Sequence, residues 1–581
     1  MSTPKQTNPN LESLQRRTLR LQRESSREFH YALRRAKKAI ADNQAELALH
    51  WCRHGAKIAV LSNPGFFCSP EMEQLLSNIG RSRLPSASSP SGTSGGLKRF
   101  LHILTVAYDR GGHTRAVSRW IDTCAQHAPS ERHSVLLSMQ DELPIPAWLV
   151  DSVRKGGGEI IELPPEMSWF ERAAHMRSRS LEFDAIILHI HPDDPLPNIA
   201  FHDRPRPVMF FNHADHLFTL GTGLASVIAD VRPVGHDLSL RFRSPDARKV
   251  MIPVPLPAPL IDDGPSQSRK ADARNSLGLP VDALIALTIG EPYKFTSIFG
   301  YSFPAVVQSI CKGNSRARVI AIGISRSEPF PGLQRLTGGQ FTPVGFVRDR
   351  NTLELYYRAA DIYLDSFPCT SITSVLDAAR HGLPVQRFCN PFQPLMWSDD
   401  PALDSVMRGV STQDEFVAGA LRWLQWSDQE RTELGSRFRA AVLRDHSGAS
   451  WKSKWLDPAI RALSLPHGDP GCVEPARPLP GDFSFLGLGR ASWAQDWPPG
   501  MFVAGAILNT DHVPRSIRIS AIMHSIKPLL FDAHGVGNPR QRFRMFAGLV
   551  EPFVQNRILS ALRKMRRNLN KVKPASGAGG V

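Results

Sequence analysis

The chain is short of the features that announce export, membrane insertion or a metal centre. Its seven cysteines (Cys52, Cys68, Cys124, Cys311, Cys369, Cys389, Cys472) are an odd number at scattered spacings, with no CxxC pair and no Cys/His cluster of zinc-ligand form. That excludes a disulfide framework and predicts a reduced, cytoplasmic protein. The opening stretch, MSTPKQTNPNLESLQRRT, has no apolar core of signal-peptide type, and no run reaches the ~18 consecutive apolar residues of a membrane span. A GxxxxGK[ST] loop is absent too, so ATP-driven phosphoryl transfer loses its phosphate cradle. No DxD cluster stands in a suitable loop. The nearest thing is Asp193-Asp194 after His189 and His191, which reads as a substrate-side loop in preference to a metal site.

What is present is apolar material for several cores: 581 residues, 42% of them hydrophobic. The formal charge is +16, which puts nucleic acid and anionic membranes on the list of partners. Its distribution is uneven. Residues 1–57 hold twelve basic and five acidic side chains and residues 557–573 hold seven basic and none acidic, so only +2 remains for the 499 residues between. The basic ends lack interleaved aromatics or a reading motif, so nucleic acid is not the expected partner. In the terminal stretch Ile558, Leu559, Leu562, Met565, Leu569 and Val572 share one helical face amid arginines and lysines. That is either a basic amphipathic helix for a membrane surface or a solvated helix packed on the body.

Five segments are expected. Residues 1–84 are helical: Phe29, Leu33, Ala36 and Ile40, then Ala45, Ala48, Cys52, Ala56 and Ala59, recur at three- and four-residue steps, and Ser69-Pro70-Glu71 opens a further helix. They form a tetratricopeptide-like hairpin or a helical cap on the next domain. Residues 85–97 are a flexible linker. Residues 98–255 carry strand candidates at 100–106, 134–137, 184–189 and 208–211, and the first strand, glycine loop and helix open a doubly wound domain. After Ile252-Pro253-Val254-Pro255-Leu256-Pro257, residues 256–464 repeat the pattern, with strands expected at 283–289, 319–324, 341–344, 362–365 and from Pro384. The fold class is therefore α/β, two tandem Rossmann-like domains behind a small helical region. Residues 465–581 are an extension ending in the basic helix.

The segment from Ala359 to Val385 carries most of the chemistry. It reads as a strand, a turn of small hydroxyl residues, a helix opening near Ser371, a glycine and another strand. Hydroxyls and unpaired N–H groups at a helix start form a diphosphate site, or are plain caps. This segment resembles the nucleotide-sugar half of GT-B glycosyltransferases, most of all the O-GlcNAc transferase type and related bacterial enzymes. The likeness runs from Asp361 through Asp365, Pro368, Thr373, Ser374 and Asp377 to Gly382 and Pro384. The loop Gly290 to Phe295 is similar to the family's lysine loop, and Phe341 to Val344 keeps the expected spacing. The resemblance implies that Lys294, Thr373 and Ser374 contact the diphosphate and Asp377 the ribose. It departs from the family at Ile372, where a histidine is usual, and lacks the Glu-x7-Glu pair of retaining enzymes, since Cys369 stands where the first glutamate would be.

In the first domain, Leu101 to Arg115 with Gly111 and Gly112 looks like the acceptor-side glycine loop of bacterial GT-B enzymes. Asn212-His213-Ala214-Asp215-His216 follows a strand and sets ionisable groups at the domain's carboxyl edge. His113, His213, Asp215 and His216 are candidates for the base that deprotonates an acceptor hydroxyl, or are structural hydrogen-bonders. The resemblance implies a glycosyltransferase, hexosyl or N-acetylhexosaminyl, using a UDP-sugar without a metal. The acceptor is an envelope or lipid-linked glycan, which suits a peripheral place at the inner membrane through residues 557–573, or a protein. A scaffold that has lost turnover and a nucleotide-sugar epimerase are the alternatives.

Overall fold

The computed structural model describes residues 9–86, 96–109, 112–141, 143–257, 267–297, 300–325, 330, 332–391 and 398–465. Most of the expected linker and all of the extension beyond 465, including the stretch expected to form a basic helix, lie outside these residues. No helix among the described residues is long and apolar enough to cross a membrane.

The chain begins with an antiparallel hairpin of helices Pro9–Ala41 and Ala45–Ser62. It turns at Asn43, whose φ of 55° is the left-handed conformation that asparagine tolerates better than most residues. Small residues line the contact: Ala32, Ala36, Ala48, Ala56 and Ala59 are buried, which lets the two backbones approach closely. A third helix, Pro70–Arg83, starts at Ser69, whose hydroxyl accepts from Met72 N. Its Glu73 is buried against the next domain, accepting from Gly223 N (2.6 Å) and Thr222 Oγ1 (3.2 Å). The helices share one apolar core with the first sheet, so they dock on the domain as a cap.

The first sheet has seven parallel strands: β1 (Arg99–Leu104), β2 (Arg132–Leu137), β3 (Ile160–Glu162), β4 (Ala185–His189), β5 (Val208–Asn212), β6 (Val227–Asp230) and β7 (Arg248–Met251), in the order β3-β2-β1-β4-β5-β6-β7. The second has five: β8 (Leu284–Ile289), β9 (Ala317–Ile322), β10 (Phe341–Gly345), β11 (Ile362–Leu364) and β12 (Val385–Gln386), in the order β10-β9-β8-β11-β12. Both are α/β layers of Rossmann type, as the sequence predicts. In such sheets the strand order reverses beside the first strand, and a crevice opens at the carboxyl ends there. The crevices lie between β1 and β4 and between β8 and β11.

Two crossings join the domains. The outgoing one runs from Ile252 to Leu256, and the return follows helix Asp428–His446. They meet where Leu256 pairs with Ser447, where the His446 ring bonds the Val254 carbonyl (2.9 Å), and where its other nitrogen faces Asp400 (3.0 Å). Trp451 then packs edge-on to Trp120 of the first domain and donates to Pro253 O. Helix Asp428–His446 presses so closely on the turn before β12 that a Cβ on Gly435 would lie 1.8 Å from the Gly382 carbonyl oxygen. Only glycine fits there.

Candidate active site

The expected site residues fall on loops and helix starts that follow the carboxyl ends of the strands, on the sides of the two domains that meet. On the second domain, Lys294 follows β8. Its ammonium donates to Thr370 O (2.9 Å), and its backbone carbonyl accepts from Cys369 N. Burial lowers its pKa, with Asp365 opposing. Asp365, just past β11, is fully buried, accepting from Ser371 N (2.9 Å) and Ser398 Oγ (2.8 Å). Burial outweighs these bonds and the nearby Lys294 and Arg387 charges, and pushes its carboxyl up to about 6.

Helix Ile372–Arg380 points its N-terminus into the cleft. Ser371 caps it without a side-chain bond. The Ser374 hydroxyl donates toward the carbonyls of Ile289 (3.2 Å) and Ser371 (3.1 Å), which commits its hydrogen to protein. Asp377 faces the other domain: Arg119 Nη2 lies 3.1 Å from both its carboxylate oxygens. Arg119 was not legible as a site residue in the sequence, because its partner is 258 positions away.

On the first domain, Gly112 opens helix Gly112–His127 directly against Thr373: a Cβ there would lie 2.7 Å from Thr373 Oγ1. Glycine is what lets the two walls touch. Gly111 lies outside the described residues. His113 comes next. Its ring hydrogen-bonds the His189 carbonyl, and its Nε2 has no hydrogen-bond partner among the described residues. His113 therefore carries its proton on Nδ1 and presents a free lone pair on Nε2. It stacks on His213 with ring centroids 3.9 Å apart. Burial, reinforced by neighbouring histidines, holds His113 well below the usual imidazole range and His213 at about 4. Both are neutral at physiological pH and available as proton acceptors.

Asp215 sits differently. Arg232 grips it through Nε (2.6 Å) and Nη2 (2.7 Å), and His216 Nδ1 lies 3.3 Å away. Burial opposes ionisation, but Arg232 prevails and holds the carboxyl far below the ordinary range. Arg232 also reaches toward Asp399 of the second domain (3.7 Å), whose other oxygen accepts from Val234 N (2.7 Å). Asp215 is thus part of a buried ion pair that shapes the cleft wall.

The His189, His191, Asp193, Asp194 group does not converge on one point. Asp194 is taken up by Thr105 Oγ1, Ser138 Oγ and Leu196 N, Asp193 pairs with Arg53, and His191 stacks on Tyr108. A cavity of about 450 Å³ lined by Glu73, Arg81, His202, Arg204 and Arg243 lies at the opposite edge of the first sheet, away from these groups. We take the carboxyl-edge cleft as the site because the topology and the convergent polar groups coincide there.

Two Rossmann-like domains facing across a cleft, with the last helices returning to the first domain, are the GT-B architecture. No family model matches the chain, and no curated protein matches it in sequence. Among solved structures it is similar to an O-GlcNAc transferase variant from Thermobaculum terrenum (16% identity, 75% of this chain and 84% of that one, TM-score 0.46). It is also similar to HepE from Anabaena in complex with UDP and glucose (12%, 63% and 100%, TM-score 0.47). A third similarity is to WaaG, a glycosyltransferase involved in lipopolysaccharide biosynthesis (12%, 63% and 99%, TM-score 0.40).

Proposed function

We propose that the protein is a glycosyltransferase that moves a sugar from a nucleotide diphosphate donor, a UDP-sugar, to a hydroxyl acceptor. The observation that carries this reading is the Gly112–Thr373 contact. It brings the first turn of the helix that carries His113 against the N-terminus of helix Ile372–Arg380, and Lys294 bonds the loop just before that N-terminus. The diphosphate lies against the first turn of helix Ile372–Arg380, whose N–H groups have no intrahelical partner and whose dipole favours an anion. Lys294 and Thr373 add side-chain contacts, and Ser374 contributes its backbone N–H because its hydroxyl is committed elsewhere. Asp377 accepts from the ribose after releasing Arg119. The leaving diphosphate is neutralised by Lys294 and the helix, without a metal ion.

On the acceptor side, His113 removes the hydroxyl proton as the new C–O bond forms and the sugar–diphosphate bond breaks. His213 holds the ring by stacking. The acceptor is a glycan, lipid-linked or of the envelope, or a protein, and residues 557–573 supply a peripheral membrane contact.

Calorimetry against UDP, GDP, ADP and their sugars tests the donor side. Lys294→Ala is expected to weaken UDP-sugar binding by about 10- to 100-fold, the worth of a charge-assisted hydrogen bond. Absence of binding by any nucleotide to the wild-type protein would sink the proposal. A pH dependence follows from Asp365. An incoming anion favours its protonated form, so affinity for a UDP-sugar, whose own charge is constant here, is highest below pH 6 and falls as pH rises through about 6. Asp365→Asn should flatten that fall, and a wild-type affinity constant from pH 5 to 8 would show that Asp365 is not coupled to the donor.

A further inference from the structure

Three buried histidines cross the first sheet diagonally. His133 on β2 pairs in register with Phe100, His102 follows two residues along β1, and His189 at the end of β4 pairs with Leu104. Two-residue steps in parallel strands keep all three on one face, beneath Trp120 of helix Gly112–His127. None of the three is more than 1% exposed. His102 Nδ1 lies 2.9 Å from His189 Nε2, and His102 Nε2 lies 2.9 Å from His133 Nδ1. His133 Nε2 faces the Glu131 carboxylate at 3.4 Å. At the other end, His189 Nδ1 has no partner among the described residues.

This arrangement has one self-consistent protonation pattern. Burial keeps the rings neutral, so each has one N–H and one lone pair. Glu131 accepts, so His133 carries its proton on Nε2. His133 Nδ1 then accepts from His102 Nε2–H, and His102 Nδ1 accepts from His189 Nε2–H. Every N–H points toward Glu131, and the vacant lone pair, His189 Nδ1, is left at the cleft end. There the His113 ring, 6.4 Å away between centroids, is seated on the carbonyl of the same His189. Glu131, at the far edge, is 18% exposed and 3.0 Å from Lys452 Nζ. Cys124 Sγ lies within 4.8 Å of this group, but the cation there is the Lys452 ammonium.

We propose that His189, His102 and His133 form a proton-release path from the acceptor-side base to Glu131, an inference that rests on the transferase reading. Transfer of a sugar to a hydroxyl liberates one proton, which arrives on His113 Nε2. His113 gives up its Nδ1 proton to His189 Nδ1 through a small ring rotation or one bridging water. His189 Nε2–H passes to His102 Nδ1, His102 Nε2–H to His133 Nδ1, and His133 Nε2–H to the Glu131 carboxylate and solvent. One proton enters and one leaves, and the rings reset by rotation. A closed cleft therefore sheds its proton without opening to water. The three are positioning and relay residues, since none touches substrate.

The test has two parts on the full chain. In the wild-type protein labelled with ¹⁵N-histidine, the expected result is N–H···N scalar coupling for the His189–His102 and His102–His133 pairs, with all three rings as Nε2–H tautomers. Absent couplings or a His102 Nδ1–H tautomer overturns the path whether or not the protein is a transferase. His102→Phe and, at the accessible end, Glu131→Gln are each expected to lower kcat at least tenfold with unchanged UDP-sugar affinity by calorimetry. Wild-type kcat in Glu131→Gln or in folded His102→Phe rules the path out. A wild-type protein that shows the couplings but binds no nucleotide-sugar refutes the transferase reading, and with it the path's role.

Discussion

Replacing His113 with alanine is expected to lower kcat for sugar transfer by about 10²- to 10⁴-fold, the usual worth of a positioned general base. Donor affinity is expected to stay unchanged. The reason is orientation as much as identity. The His189 carbonyl holds the resting ring as the Nδ1–H tautomer, so Nε2 starts each turnover as a buried lone pair with no partner among the described residues. His213→Ala should cost less, because it removes the stacking partner and leaves the lone pair in place. The measurement is steady-state turnover beside calorimetric donor binding. Full turnover by both variants would place the base elsewhere.

The second large effect is on folding. Asp215→Asn removes the carboxylate that grips the buried Arg232 guanidinium at two points, and the expected loss is about 3–5 kcal/mol, the range for breaking one partner of a buried ion pair. Denaturant unfolding measures it. The charge logic also sets a pH window. Because Arg232 depresses the Asp215 carboxyl, the pair's contribution is fully present above the unfolded value of about 3.9 and is lost as pH falls toward the folded value. Wild-type stability should therefore fall on acidification below about pH 4, and Asp215→Asn should lack that component. If Asp215→Asn keeps wild-type stability but loses turnover, Asp215 acts in catalysis and the ion-pair account is wrong.

The core strands were legible because a parallel sheet buried on both faces needs near-continuous apolar runs, and β1, β4, β5 and β8 have them. Three strands escaped. Ile160–Glu162 is three residues long, Val227–Asp230 is four and ends on an acid, and Arg248–Met251 is a half-buried edge with two basic residues. Strands this short carry too few periods to stand out. The helix opening at Ile372 was legible from its hydroxyls and following glycine. That the Ser374 hydroxyl turns to the Ile289 carbonyl was not, because that partner comes from a different strand.

The alternation of apolar runs with helical stretches determined by itself that this is an α/β protein of two doubly wound units. Local periodicity and turn chemistry are properties of neighbouring residues. The tertiary structure alone decided which ionisable groups meet. It tied Asp215 to Arg232 and Asp377 to Arg119, left the His113 Nε2 lone pair without a partner among the described residues, and lined up His133, His102 and His189. Partners tens to hundreds of positions apart are chosen by sheet order and domain packing, and proton affinity follows from burial and neighbours that exist only once the chain is folded.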